Sequence, residues 1–98
     1  MKSIIKQLDK DLVQRGFKKL DELKWQLAGI SSNIFVQYRT GESPNSISCE
    51  WRTKNNERFL EFFDLTKDHH TNHLVLENAI IFVDIYSRVD NKNQLGLS

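Results

Sequence analysis

The chain has 98 residues, 39% hydrophobic and 28% charged, which bounds it to one ordinary soluble domain spanning 1–98 with a single modest core. Fourteen basic against thirteen acidic residues leave a formal charge of +1, so global electrostatics recommend neither nucleic acid nor an anionic membrane. The lone cysteine, Cys49, excludes an internal disulfide and fits a reducing, cytoplasmic setting; the longest apolar run, Ala79 to Val83, is far below the ~20 residues of a membrane helix, and the opening "MKSIIKQLDKD" holds no apolar stretch of signal-peptide length.

Residues 3–15 read as a helix. Ile4, Ile5, Leu8, Leu12 and Val13 recur at one face of a 3.6-residue period, with Ser3 as the expected cap. Gly16 supplies the left-handed residue that ends such a helix, and Phe17 then folds back toward Leu12.

Beyond Gly16 the period falls to two. "LKWQL" sets Leu23, Trp25 and Leu27 against Lys24 and Gln26. "IFVQYR" sets Ile34, Val36 and Tyr38 against Phe35, Gln37 and Arg39, and "ISCEWR" sets Ile47, Cys49 and Trp51 against Ser48, Glu50 and Arg52. This alternation is the mark of half-buried antiparallel strands. "AGISSN", "TGESPNS" and "TKNNE" carry the Gly, Pro, Asn and Ser of the turns between them. A fourth strand, "RFLEFFDL", is apolar on both faces, so its inward side is left open: Phe59, Glu61, Phe63 and Leu65, or Leu60, Phe62 and Asp64.

The segment "HLVLENAIIFVDIYSRV" is rich in β-branched residues, yet at 100° per residue His73, Glu77, Asp84, Ser87 and Arg88 gather on one face. Its length favours a helix, capped by Thr71 or Asn72; the alternative is a fifth strand at about 80–86. The expected fold is α+β: an N-terminal helix, a four-stranded antiparallel meander and a C-terminal helix, with both helices on one face and a loose tail from about residue 90.

Three chemistries deserve weighing. "KDHHTNH" packs all three histidines into five positions. His69 and His73 are i, i+4 and His70 and His73 are i, i+3, spacings at which two imidazoles can share a metal. The string lacks the glutamate of H-E-x-x-H and any adjacent third ligand, and His69 and His70 fall in the loop before the expected cap. A solvated polar lead-in is the better reading, so no metal or other cofactor is assigned and the histidines stay as weak candidates. Cys49 as a nucleophile loses to Cys49 as core, between Ile47 and Trp51 on an inward strand face. No nucleophile elbow, phosphate loop or dinucleotide fingerprint occurs, so no catalytic residue is assigned.

The outward sheet face is the remaining candidate. Lys24, Phe35, Gln37, Arg39 and Arg52 are expected there, joined by Glu50 and Glu61, and by Phe59 and Phe63 if the fourth strand faces that way. Aromatics among cations also describe a single-stranded nucleic-acid binder, but the weak charge footprint and the acidic neighbours count against it. The carboxylates Glu57, Glu61, Asp64 and Asp68 read first as a solvated edge, and an inhibitor of a strongly basic target would have to confine its contact to this stretch. The reading this favours is a small non-catalytic protein-binding module. An inhibitor of the immunity-protein or antitoxin kind has this form, and its contact residues would be Phe35, Gln37, Arg39, Glu50, Arg52, Glu57, Glu61 and Asp64. A nucleic-acid binder is the alternative; a small metal-dependent or ribonuclease-like enzyme using His69, His70 and His73 comes third.

Overall fold

In the computed structural model, residues 2–41 and 44–94 are described. The order is α1 (Lys2–Gln14), β1 (Lys18–Asp21), β2 (Lys24–Ala28), β3 (Ser32–Arg39), β4 (Ser46–Thr53), β5 (Arg58–Asp64) and α2 (His69–Gln94). All five strands pair antiparallel with their sequence neighbours, in the order β1-β2-β3-β4-β5. The α+β class and the helix–meander–helix order are as the sequence implies. The meander has one strand more than expected, and the addition is β1 near the N-terminus, not 80–86, which lies inside α2.

α1 closes as its sequence dictates. Gly16 has φ of +88°; its N–H donates to Val13 O and the Phe17 N–H to Leu12 O, both at 3.0 Å, which is a Schellman closure. Phe17 is thereby buried with Leu12. At the other end α1 already includes Lys2, so Ser3 lies inside the first turn and is not the cap.

The period-two strands behave as expected. In β3 the residues Ser32, Ile34, Val36 and Tyr38 are buried, while Asn33, Phe35, Gln37 and Arg39 are half-buried on the opposite face. Trp25, Ile47 and Cys49 join the inward set. Both helices cover this side: Ile4, Leu8 and Leu12 of α1 and Leu76, Ala79, Ile80, Phe82 and Val83 of α2 complete one core. Trp51 is only half-buried, ringed by Tyr86 at 5.1 Å between centroids. Leu74 and Ile85 of α2 face solvent, whereas Leu76 is buried.

α2 begins earlier than its apolar pattern suggests. Asp68 caps it: its carboxylate accepts from the N–H of His70 at 3.4 Å and of Thr71 at 3.3 Å, and from Thr71 Oγ1 at 2.6 Å. Those hydrogen bonds, Thr71's hydroxyl first, hold the Asp68 carboxyl below the usual aspartate range. Thr71 and Asn72 are therefore not caps. Asn72 is buried and serves the preceding turn instead. Its Nδ2 donates to Thr66 O and its Oδ1 accepts from Thr66 N, each at 2.8 Å, so one amide satisfies both backbone groups of a residue leaving the sheet. At its far end α2 runs through Asn91–Gln94, so the tail expected from about residue 90 is helical to Gln94; its apolar Leu95 and Leu97 lie outside the described residues. Among the described residues no helix is long and apolar enough to cross a membrane.

Candidate functional site

The open face of the sheet is built by register. β3 and β4 pair Phe35 with Glu50, Gln37 with Ser48 and Asn33 with Arg52, placing these six side chains on the side away from the helices. β2 adds Lys24 beside Gln37 and Gln26 beside Phe35. β5 then adds Arg58 beside Arg52, Leu60 beside Glu50, Phe62 beside Ser48 and Asp64 beside Ser46.

Here the expected composition needs correction. Glu61 pairs with Cys49, Phe59 with Trp51 and Phe63 with Ile47, so all three lie on the helix side. Phe59 stacks on Phe82 at 5.9 Å and Phe63 meets the same ring edge-on at 6.5 Å. Nor do the acidic residues of 57–68 form one patch. Glu57 lies in the β4–β5 turn, Glu61 on the helix side, Asp64 on the open face, and Asp68 caps α2. Of the expected contact residues, the structure brings Phe35, Gln37, Arg39, Glu50, Arg52 and Asp64 to one face and leaves Glu57 and Glu61 off it.

The residues that sequence reasoning left off this face are Arg58, Leu60 and Phe62. The signal that could have found them is the turn. Thr53 N donates to Glu57 O at 2.8 Å and Asn56 adopts φ of +67°, giving a three-residue hairpin loop with Asn56 in the left-handed position. Once Thr53 opposes Glu57, Trp51 must oppose Phe59 and the facing of the whole of β5 follows.

One ion cluster is prominent on the face. Glu50 has a side chain only 14% exposed, and its Oε2 meets Arg52 Nη2 at 2.7 Å and Arg58 Nε at 3.1 Å. The Arg52 guanidinium also lies 5.2 Å from the centroid of the Phe35 ring, and that of Arg39 lies 5.2 Å from Phe62. Two guanidiniums converging on one carboxylate spend charge that a phosphate backbone would otherwise meet. The apolar component is substantial: Phe62 is 49% exposed and Leu60 40% exposed, with half-buried Phe35 on the far side of β4.

The other candidates fare less well. His69, His70 and His73 all lie on α2, correcting the loop placement of the first two, and all are exposed. No group of three His, Cys, Asp or Glu side chains among the described residues is arranged to hold a metal ion. Cys49 is fully buried, 3.9 Å from Ala79 O, and burial first, then Glu61, pushes its thiol well above the usual range. A thiol so placed is a core residue and not an activated nucleophile. No family model matches this chain, and comparison with curated proteins and with solved structures finds no match.

Proposed function

We propose that this chain is a small non-catalytic protein-binding module, of the inhibitor kind exemplified by immunity proteins and antitoxins, that meets its partner with the open face of the sheet. The observation that carries the reading is a sheet face that no described element covers, with Phe35 on the central strand, Leu60 and Phe62 on the β5 edge, and Arg39, Arg52 and Arg58 flanking them. Aromatics and arginines dominate the energetics of protein interfaces, and their aliphatic and guanidinium parts are prepared here by stacking and by Glu50. The same pairing weakens the nucleic-acid alternative, because Arg52 and Arg58 already share a carboxylate. With a charge of +1 the chain is not built for electrostatic capture of a strongly basic target, so the partner is expected to present an apolar patch with acidic or neutral surroundings.

The test is affinity capture with the full chain from its native host, with and without nuclease, set beside Phe62→Ser and Arg39→Ala. The expected result is a stoichiometric protein that survives nuclease and is lost from both variants while their thermal melts stay close to the parent. Recovery of nucleic acid, or a protein retained equally by both variants, overturns the assignment of this face.

A further inference from the structure

The two edges of the sheet are finished differently. β1 is four residues long, carries Lys18 and Lys19, and has a register shift against β2 between Lys19 and Asp21. Short length, lysines and a bulge are the ordinary defences of an edge strand. β5 is seven residues long, with unbroken register to β4, and Phe59, Leu60 and Phe62 are 40–49% exposed. Its only charges are Arg58 and Asp64 at the two ends and Glu61 in the centre.

Among the described residues nothing pairs with the outer edge of β5. Leu65 N donates to Asn45 O and Thr53 N to Glu57 O, so the odd-numbered positions of this hairpin arm are the ones bonded to β4. By the alternation of an antiparallel ladder, the N–H and C=O groups of Arg58, Leu60, Phe62 and Asp64 point outward from the edge.

We propose that this edge pairs with the β5 of a second copy of the chain, antiparallel about a two-fold axis at Glu61, joining two sheets into one of ten strands. The sequence of the strand is complementary to itself in that register. Arg58 faces Asp64 at both ends, Phe59 faces Phe63, and Leu60 faces Phe62. The outward backbone groups of Leu60 and Phe62 bond each other across the axis, as do those of Arg58 and Asp64. On the open face, Leu60 and Phe62 of both copies become one apolar cluster. On the helix side, Phe59 and Phe63 pair beside the cleft that Ile81 and Ile85 of α2 line with them, and the two-fold sets these exposed isoleucines toward their counterparts. A register shifted by two residues in either direction keeps the faces but loses both Arg58–Asp64 pairs. This charge pattern is what favours a second copy over an unrelated extended segment.

Glu61 is the one discordant residue, since it opposes itself on the axis. It sets a ceiling on the strength of the pair and gives the proposal its sharpest test. Sedimentation equilibrium of the full chain is expected to show a monomer–dimer equilibrium that Glu61→Gln tightens by about fivefold, as removal of directly opposed like charges should. Asp64→Arg, which sets arginine against Arg58 twice, is expected to abolish the dimer, and Arg58→Asp with Asp64→Arg to restore it. In the dimer the amides of Leu60 and Phe62 gain hydrogen-exchange protection as concentration rises. Circular dichroism melts of each variant separate loss of pairing from loss of fold. A parent and Glu61→Gln variant both still monomeric at roughly 1 mM, the weak limit of specific association, overturns the proposal, as does a dimer that Asp64→Arg leaves intact.

Discussion

The two tryptophans give the most direct check on the packing, because the same substitution should act differently at each. Trp25 is fully buried in β2, and its Nε1 donates to Asp9 Oδ1 of α1 at 2.8 Å. Trp25→Phe removes that bond and one ring of a well-packed side chain. A hydrogen bond to a charged acceptor contributes about 1.5–3 kcal/mol. The Asp9 side chain is 37% exposed and can rehydrate, which puts the loss at the lower end of that range. With roughly 1 kcal/mol for the lost packing, the total is about 2–3 kcal/mol, or a fall in Tm of about 8–24 °C for a domain of this size. Trp51 is half-buried, stacks on Tyr86, and its buried Nε1 meets no acceptor among the described residues. Trp51→Phe loses a similar amount of packing but also relieves an unsatisfied donor, which offsets about 1 kcal/mol or more. The net change should stay within about 1 kcal/mol of the parent on those terms. Urea melts of both variants make the comparison, with Asp9→Ala completing a double-mutant cycle against Trp25→Phe. Equal losses at the two tryptophans, or zero coupling between Asp9 and Trp25, would refute the reasoning.

Other perturbations have equally definite outcomes. Asn72→Ala should cost about 2–3 kcal/mol because it strands both backbone groups of Thr66, and Asn72→Asp should cost nearly as much since a carboxylate cannot donate to Thr66 O; denaturant melts compare them. The Asp68 carboxyl titrates below its unfolded value, so its contribution to α2 is complete above the ordinary aspartate pKa of about 3.9 and is lost as pH falls through its own lower value. Asp68→Ala should therefore speed hydrogen exchange at His70 and Thr71 near neutral pH and change nothing at the acid limit. Arg15 Nε meets Asp84 Oδ1 at 2.8 Å and ties the end of α1 to α2, and with both side chains about a third or more exposed the coupling in a mutant cycle should be only about 0.5–1 kcal/mol, shrinking in high salt. Cys49 should resist iodoacetamide in the native state and react at the rate of a free thiol in urea; prompt native labelling would contradict its burial.

What the sequence made legible depends on how far apart in the chain the deciding interaction lies. The alternation in β2, β3 and β4 is a local signal, and it places Trp25, Val36 and Cys49 inward without any partner being known. β1 has no such signal. "KKLD" is exposed at all four positions, and it is a strand because β2 offers it hydrogen bonds. The start of α2 is not legible because apolar periodicity begins at Leu74, whereas Asp68 caps the helix six residues earlier, with Asn72 drawn away to Thr66. β5 is the instructive case. Both of its faces are apolar, so composition could not orient it, and only the count across the Asn56 hairpin does so.

That count changes the chemistry of the candidate site. With Phe59, Glu61 and Phe63 turned to the helices, the open face exchanges an acidic residue for Arg58 and gains Leu60 and Phe62. Glu50 then has two arginine partners in place of one, and they reach it from its own strand and from the next. The Glu50 carboxylate, on a side chain only 14% exposed, meets both guanidiniums, so Arg52, Glu50 and Arg58 form one ion cluster that ties β4 to β5 on the open face. The two arginines flank Phe35 and Leu60 across the rows of β4 and β5, a grouping that no single strand of the sequence displays and on which the proposed contact surface rests.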